Sequence, residues 1–345
     1  MGGIKRSVAV AVIALTAMTV LVAPAKAGKM RGVPEWARPA VTYLAGKGWI
    51  DLRSFDAKAP MSRADFKKLM NQAFGGGFNR SKGPVTAGEV SAALVNKLGY
   101  GSLAKSLSGV RSPDGWDPKV GARFGSEVVS RELGLRRDHP TSDENLEARA
   151  DDPMIQADVA WAVWQAKTSP DEWSADALSS FHLSNYNSTR RKIVKFAMSL
   201  VGTPYVWGGE WHGRTPGGYP YGAQAAGGMD CSGFVWFVMQ KKSSSYSPPG
   251  RDYAGWSIPQ RSSYDMAKAA PKKLRLGEMK PGDIAFFAPD GRKSKASSVY
   301  HAGLYLGKGW MIHSSGSRAG VSLASIGKGS WWNGELAWGR RVMKG

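Results

Sequence analysis

Apolar residues recur at helical spacing through the first half of the chain, then give way to short alternating runs. "PEWARPAVTYLAGKG" sets Trp36, Ala40, Val41 and Leu44 on one face, with Gly46 or Gly48 placed to end the helix. "PMSRADFKKLMNQAF" opens with the capping pair Ser62 and Asp65 ahead of Phe66, Leu69 and Met70. "PVTAGEVSAALVNKLG" repeats the plan, with Thr86 and Glu89 before Val90, Leu94 and Leu98. A third version, "PMIQADVAWAVWQAK", begins at Pro153. The shared order is proline, an apolar residue, two variable positions, Ala or Gly, an acid, then Phe or Val. That recurrence predicts a helical repeat.

Beyond residue 190 the pattern changes. "RRKIVKFAMSLVG" carries Ile193, Val194, Ala197 and Leu200 on one face and stops at Gly202. A second helix is expected at Cys231, along the apolar run Phe234–Met239. "GDIAFFA", "YHAGLYLG", "GWMIHSS", "AGVSLA" and "LAWGRRVM" are short apolar or alternating runs broken by Gly, Asp and Lys, which predicts an antiparallel sheet. The expected class is α+β: helices packed on an antiparallel sheet, preceded by an all-α repeat domain. The boundaries are residues 28–168 for the repeats, 169–189 for a polar linker and 190–345 for the second domain.

The first 27 residues read as a signal peptide. Lys5 and Arg6 precede an uncharged apolar run from Val8 to Val22, which is short for a membrane span, and Ala25-Lys26-Ala27 fits a small-x-small cleavage site. The expected product is secreted, with no stable membrane insertion after cleavage. A formal charge of +20 predicts attraction to polyanions. For an exported chain these are anionic cell-wall polymers or peptidoglycan carboxylates rather than nucleic acid.

Cys231 is the only cysteine in 345 residues, so it cannot form an internal disulfide. It is a packing residue, an intermolecular bridge, a metal ligand or a nucleophile. "MDCSGFVWFVMQKK" places it at the start of a helix, and a helix N-terminus and a nearby imidazole both lower a thiol pKa. Gly233 removes bulk one turn on, where a substrate backbone could approach. Of five histidines, His301 and His313 open and close adjacent strand-like runs and can lie side by side across a pair of strands. Those three residues could equally hold zinc as a three-ligand site. His212, in the glycine-rich stretch 210–229, competes with His301 as base; His139 and His182 are expected on solvated surface. "KSLSGVRSPDGW" and "APDGRKSKASSV" are expected to be basic solvated loops.

"GTPYVWGG", "DCSGFV", "KPGDIAFF", "HAGLYLG" and "MIHSSG" follow in the order and approximate spacing of the NlpC-type cell-wall cysteine peptidases, which are papain-like. The second half of the chain, from about Arg190 to Val342, resembles that family. The resemblance implies peptidoglycan as substrate and Cys231 as nucleophile, with His301 as general base and His313 orienting the imidazole. It further implies that Tyr205 borders the nucleophile, that Asp230 and Ser232 help hold substrate, and that no metal or organic cofactor is required. The implied bond is the one between γ-D-glutamyl and diaminopimelate or lysine. A papain-like amidase cutting between sugar and peptide, and a wall-binding protein without activity, are the alternatives. Residues 31–168 resemble S-layer-homology repeats, which attach exported proteins to wall polymers. That family's arginine survives only in the first copy, as Ser62-Arg63-Ala64-Asp65, whereas Ala87 and Gln156 take its place in the others.

Overall fold

The computed structural model describes residues 30, 32–168, 175–211, 227–239 and 258–343. The N-terminal apolar run, His212 and most of the stretch 210–229 lie outside them. Among the described residues no helix is long and apolar enough to cross a membrane.

The first half is helical: α1 (Arg38–Gly46), α2 (Arg63–Phe74), α3 (Ala87–Lys97), α4 (Gly101–Ser108), α5 (Phe124–Glu132) and α6 (Gln156–Thr168). α2 and α3 begin where their caps predict. The Ser62 hydroxyl accepts from the Asp65 N–H, and Thr86 with Glu89 forms a reciprocal capping box. The second residue of each repeat closes a backbone ring. Met61 N–H donates to the Met154 carbonyl, Val85 N–H to Met61 and Met154 N–H to Val85, each at 2.9 Å. All three side chains are buried at the centre. A linear sequence thus folds into a pseudo-threefold unit in which every repeat donates to one neighbour and accepts from the other. Arg63 is already engaged inside this unit, 3.0 Å from Glu89.

Two parts of this half depart from the sequence reading. The start of "KSLSGVRSPDGW" is not a solvated loop but the end of α4, with Leu107 buried. His139 is buried rather than solvated, its Nδ1 3.0 Å from Glu147 and its Nε2 3.0 Å from Asp158 on α6. Burial would lower its pKa, but the hydrogen bonds to Asp158 and Glu147 outweigh burial and raise it to about 10. A raised histidine pKa stabilises the fold fully below the unfolded value near 6.5, and the contribution is lost as pH rises through the folded value. His139→Gln strands two buried carboxylates and is expected to cost about 3–5 kcal/mol at pH 6. Denaturant melts would check this: wild-type stability should fall between pH 6.5 and about 10, and the variant should lose most of that slope.

The second half begins with α7 (Ser188–Ser199), the short pair β1 (Glu210–Trp211) and β2 (Gly228–Met229), α8 (Cys231–Met239) and α9 (Ser263–Lys268). It continues with β3 (Ile284–Phe287), β4 (His301–Gly307), β5 (Trp310–Ser315), β6 (Gly320–Ser325), α10 (Trp331–Glu335) and β7 (Leu336–Arg340). The sheet order is β6-β5-β4-β3-β7, antiparallel throughout. α8 is buried along nearly its whole length and packs on β4 and β5, as its continuous apolar composition requires. This is the α+β arrangement expected from the sequence.

The halves are locked together. Arg131 of α5 is fully buried, with its guanidinium donating to the carbonyls of Gly202 (2.9 Å), Arg318 (3.2 Å) and Ala319. Those last two carbonyls lie in the β5–β6 connection. There Gly320 has φ +133°, and a Cβ on it would stand 2.1 Å from the Thr203 carbonyl oxygen. The segment leading into α7 is packed too: Phe181, Leu183 and Tyr186 are buried, and the Tyr186 hydroxyl donates to the Leu306 carbonyl on β4 at 2.8 Å.

Candidate active site

Cys231 is the first residue of α8. Asp230 caps that helix, its Oδ1 accepting from the Gly233 N–H at 2.6 Å and from the Ser232 hydroxyl at 3.0 Å. A second residue, which the sequence did not flag, completes the frame. Arg261 donates from Nε to Glu210, from one terminal nitrogen to Asp230 and to Ser232 (2.8 Å), and from the other to the carbonyls of Gly208 (3.0 Å) and Gly209 (3.2 Å). All the directions of a forked guanidinium are thereby used. Asp230 and Ser232, expected at the substrate, thus spend their polar atoms on this frame. The Gly209 carbonyl also explains Gly233: a Cβ there would lie 2.0 Å from that oxygen, so the chain's own backbone, not a substrate, takes the space. The signal for Arg261 was its place just before another capping pair, Ser262 and Asp265.

The Cys231 sulfur lies 3.9 Å from the Tyr300 carbonyl and also meets the Ala302 backbone N–H, so it sits against the turn that carries His301. His301 opens β4 and His313 lies on β5, with His301 Nε2 and His313 Nδ1 2.7 Å apart. Strand register explains the meeting. Leu304 pairs with Ile312 and Tyr305 with Met311, which sets His313 opposite Gly303, two residues from His301 on the same face. A Cβ on Gly303 would come within 3.1 Å of His313 Cβ, so a side chain there would crowd the dyad. The two facing nitrogens share a hydrogen bond, which leaves no room for a metal ion between them. Among the described residues no group of three or more His, Cys, Asp or Glu is arranged to hold one.

Trp332 of α10, also unflagged by the sequence, covers the dyad. Its ring stacks on His301 at 4.7 Å and meets His313 edge-on at 5.2 Å, while Phe287 on β3 flanks His301 at 5.8 Å. This apolar enclosure sets the electrostatics. Burial pushes the His301 imidazole down to about 3 and His313 well below its ordinary value, and pushes the Cys231 thiol up to about 12, Asp230 adding to the last shift. A helix terminus and an imidazole are expected to lower a thiol pKa, but here desolvation and Asp230 outweigh the lowering by the Ala302 and Ser232 N–H groups and by Arg261. Burial thus disfavours the charged form of both the thiol and the imidazole at rest. Burial holds the Tyr205 phenol above its ordinary value, with the nearby Cys231, Asp230 and Asp138 adding to the shift, and so keeps it protonated. His182 is exposed, its Nδ1 2.7 Å from the Ser180 carbonyl and remote from this arrangement in sequence and element.

Residues 202–340 match the model of the NlpC/P60 family. The chain is 31% identical over 144 residues to the γ-D-glutamyl-L-lysine dipeptidyl-peptidase of Bacillus subtilis, covering 42% of this chain and 38% of the relative. It is 31% identical over 145 residues to protein P54 of Enterococcus faecium, covering 42% of this chain and 21% of that protein. Each of these relatives is thus spanned over well under half its own length. Among solved structures, the peptidoglycan hydrolase RipB of Mycobacterium tuberculosis aligns at 28% identity with a TM-score of 0.33, over 46% of this chain and 66% of that one. The helices and five-stranded antiparallel sheet that surround Cys231, His301 and His313 are an NlpC/P60 domain, and it is joined here to a helical half that the family match does not reach.

Proposed function

We propose that this chain is an exported bacterial peptidoglycan endopeptidase that cuts stem peptides through a Cys-His-His thiol mechanism. One observation carries the reading: the only thiol of the chain starts a buried helix against the turn bearing His301, whose far nitrogen is bonded to His313. The relatives support the substrate class, one being named as a γ-D-glutamyl-L-lysine dipeptidyl-peptidase and another as a probable peptidoglycan endopeptidase.

With Nε2 committed to His313, the nitrogen left for the thiol is Nδ1 of His301. It takes the Sγ proton as sulfur attacks the γ-D-glutamyl carbonyl, forming the S–C bond of a tetrahedral intermediate. The imidazolium formed this way is held by donating Nε2–H to His313 Nδ1. The Cys231 N–H at the helix start, aided by the protonated Tyr205 hydroxyl, faces the developing oxyanion. Collapse breaks the C–N bond, and His301 returns its proton to the leaving amine of diaminopimelate or lysine. Water, deprotonated by His301, then attacks the thioester, releases the γ-carboxylate and restores the thiol. The burial that keeps both groups neutral at rest also means that charge appears only as a thiolate–imidazolium pair during reaction, each charge compensating the other.

The helical half would hold the enzyme on the wall. Its three-unit ring and S-layer-homology-like pattern favour contact with wall polymers, and the +20 formal charge of the whole chain favours anionic ones. A Cys231→Ala protein should co-sediment with purified sacculi, the bound fraction falling as salt rises. Mass spectrometry of digested peptidoglycan tests the activity directly. Stems cut after D-glutamate support the endopeptidase; release of whole stems would make it an amidase, and no products would leave only a binding protein.

A further inference from the structure

A cavity of about 490 Å³ lies at the junction of the two halves. Arg137 and Asp138 enter it from the helical half, Trp161 lines it from α6, and Gly316 and Arg318 close it from the β5–β6 connection. Some of its charges are already matched. Arg318 is paired with Glu132 through two contacts of 3.1 Å, and Arg136 is held by Glu127 and by the Ala148 carbonyl.

Arg137 and Asp138 are different. The Arg137 guanidinium lies 4.8 Å from the Trp161 ring and 5.8 Å from Trp36, which orient it without using its hydrogen bonds, and its Nε has no partner among the described residues. Asp138 Oδ1 is likewise buried without a partner. Burial, followed by repulsion from Glu147, pushes the Asp138 carboxyl up to about 7, as expected of a carboxylate whose charge the fold leaves poorly compensated. These two residues are adjacent in sequence and form no ion pair with each other at contact distance. Both residues line the same cavity, one basic and one acidic, with the unpartnered Nε and Oδ1 themselves enclosed.

Through Gly316 the cavity wall approaches Tyr205, which borders the nucleophile's helix. At Gly316 a Cβ would stand 2.9 Å from Asp138 Oδ2 and 3.7 Å from the Tyr205 ring, so only glycine lets the backbone pass this closely between the two. Tyr205 in turn lies near enough to both Cys231 and Asp138 for each to raise its pKa.

A separated cation and anion complement a ligand end that carries an ammonium and a carboxylate on one carbon. In a stem peptide, only the side-chain terminus of diaminopimelate has that form; lysine ends in an ammonium alone. We infer that the junction cavity binds the zwitterionic end of the stem peptide's diamino acid, Arg137 taking the carboxylate and Asp138 the ammonium, so that the helical half selects diaminopimelate over lysine. This rests on the endopeptidase reading for the identity of the substrate. The site itself does not depend on catalysis.

Calorimetry separates the two. Titrating Cys231→Ala protein with L-Ala-γ-D-Glu-meso-diaminopimelate and with its L-lysine counterpart should show the former binding more tightly by on the order of 10–100-fold, the worth of a charge-assisted contact. Arg137→Ala should erase most of that preference while leaving the lysine peptide's affinity within about twofold, whereas Arg137→Lys should keep part of it, because it keeps the charge but not the fork. Circular dichroism of each variant would establish that it is folded. Equal affinity for both peptides, no binding of either, or a preference that survives both Arg137→Ala and Asp138→Asn would overturn the assignment. Selective binding together with no hydrolysis of either peptide by the wild-type chain would sink the endopeptidase reading and leave the cavity's role standing.

Discussion

Cys231→Ala is expected to abolish hydrolysis of stem peptides, a loss on the order of 10⁶-fold if the nucleophile is the sulfur. No second thiol exists to substitute for it. The sulfur's polar partners are the Tyr300 carbonyl at 3.9 Å and the Ala302 N–H, and alanine removes only one buried atom, so the variant should fold and melt close to the wild type. Loss of activity would then report chemistry rather than stability. Cys231→Ser should be nearly as inactive, because an enclosed hydroxyl is a poorer acid than the thiol it replaces. Activity should survive incubation with EDTA; a reversible loss would revive the three-ligand zinc site. Turnover by purified Cys231→Ala would end the thiol mechanism.

Removing the base should be the next largest effect. His301→Ala is expected to lower kcat by roughly 10²–10⁴-fold, the usual range for a general base. His313 acts on that ring through a single 2.7 Å hydrogen bond, so its loss should cost less. His313→Gln keeps a group able to accept from His301 Nε2 and should retain more activity than His313→Ala. The pH profile offers an independent readout. Because burial depresses the His301 imidazole, the base stays unprotonated well below pH 6.5, and the acid limb of kcat/KM should lie below that of an ordinary histidine. Trp332→Ala, which uncovers the ring, should move that limb upward. Alkylation of Cys231 by iodoacetamide should slow in His301→Ala, since the thiol loses its proton acceptor. If it does not, and His212→Ala slows it instead, the base has been wrongly chosen.

The elements that follow simple periodicity were legible in advance. α2 and α3 start at their capping residues, and β3 to β7 coincide with the apolar runs that predicted a sheet. α5 was not legible. Its buried face includes Glu127, Ser130 and Arg131; Glu127 is paired locally with Arg131 and Arg136, but the Arg131 guanidinium is completed by the carbonyls of Gly202 and Ala319 far along the chain. No local pattern distinguishes that face from a solvated one. His139 misled for the same reason: the carboxylates that bury it, Glu147 and Asp158, mean nothing until α6 packs beside it.

What the sequence determined by itself was therefore local: helix starts written in capping residues, strand spans written in alternation, a unique thiol at a helix N-terminus, and a threefold recurrence of one short phrase. What only the tertiary structure decided was everything that depends on the environment of a group. Strand register brought His301 onto His313, and packing under Trp332 and Phe287 made both imidazoles hard to charge. The same enclosure reversed the expected direction of the Cys231 pKa. It also took the junction of two halves to bring Arg137 and Asp138 into one cavity with Gly316. A residue's type and its spacing are properties of the chain, but desolvation, register and charge compensation come from neighbours that the fold alone supplies.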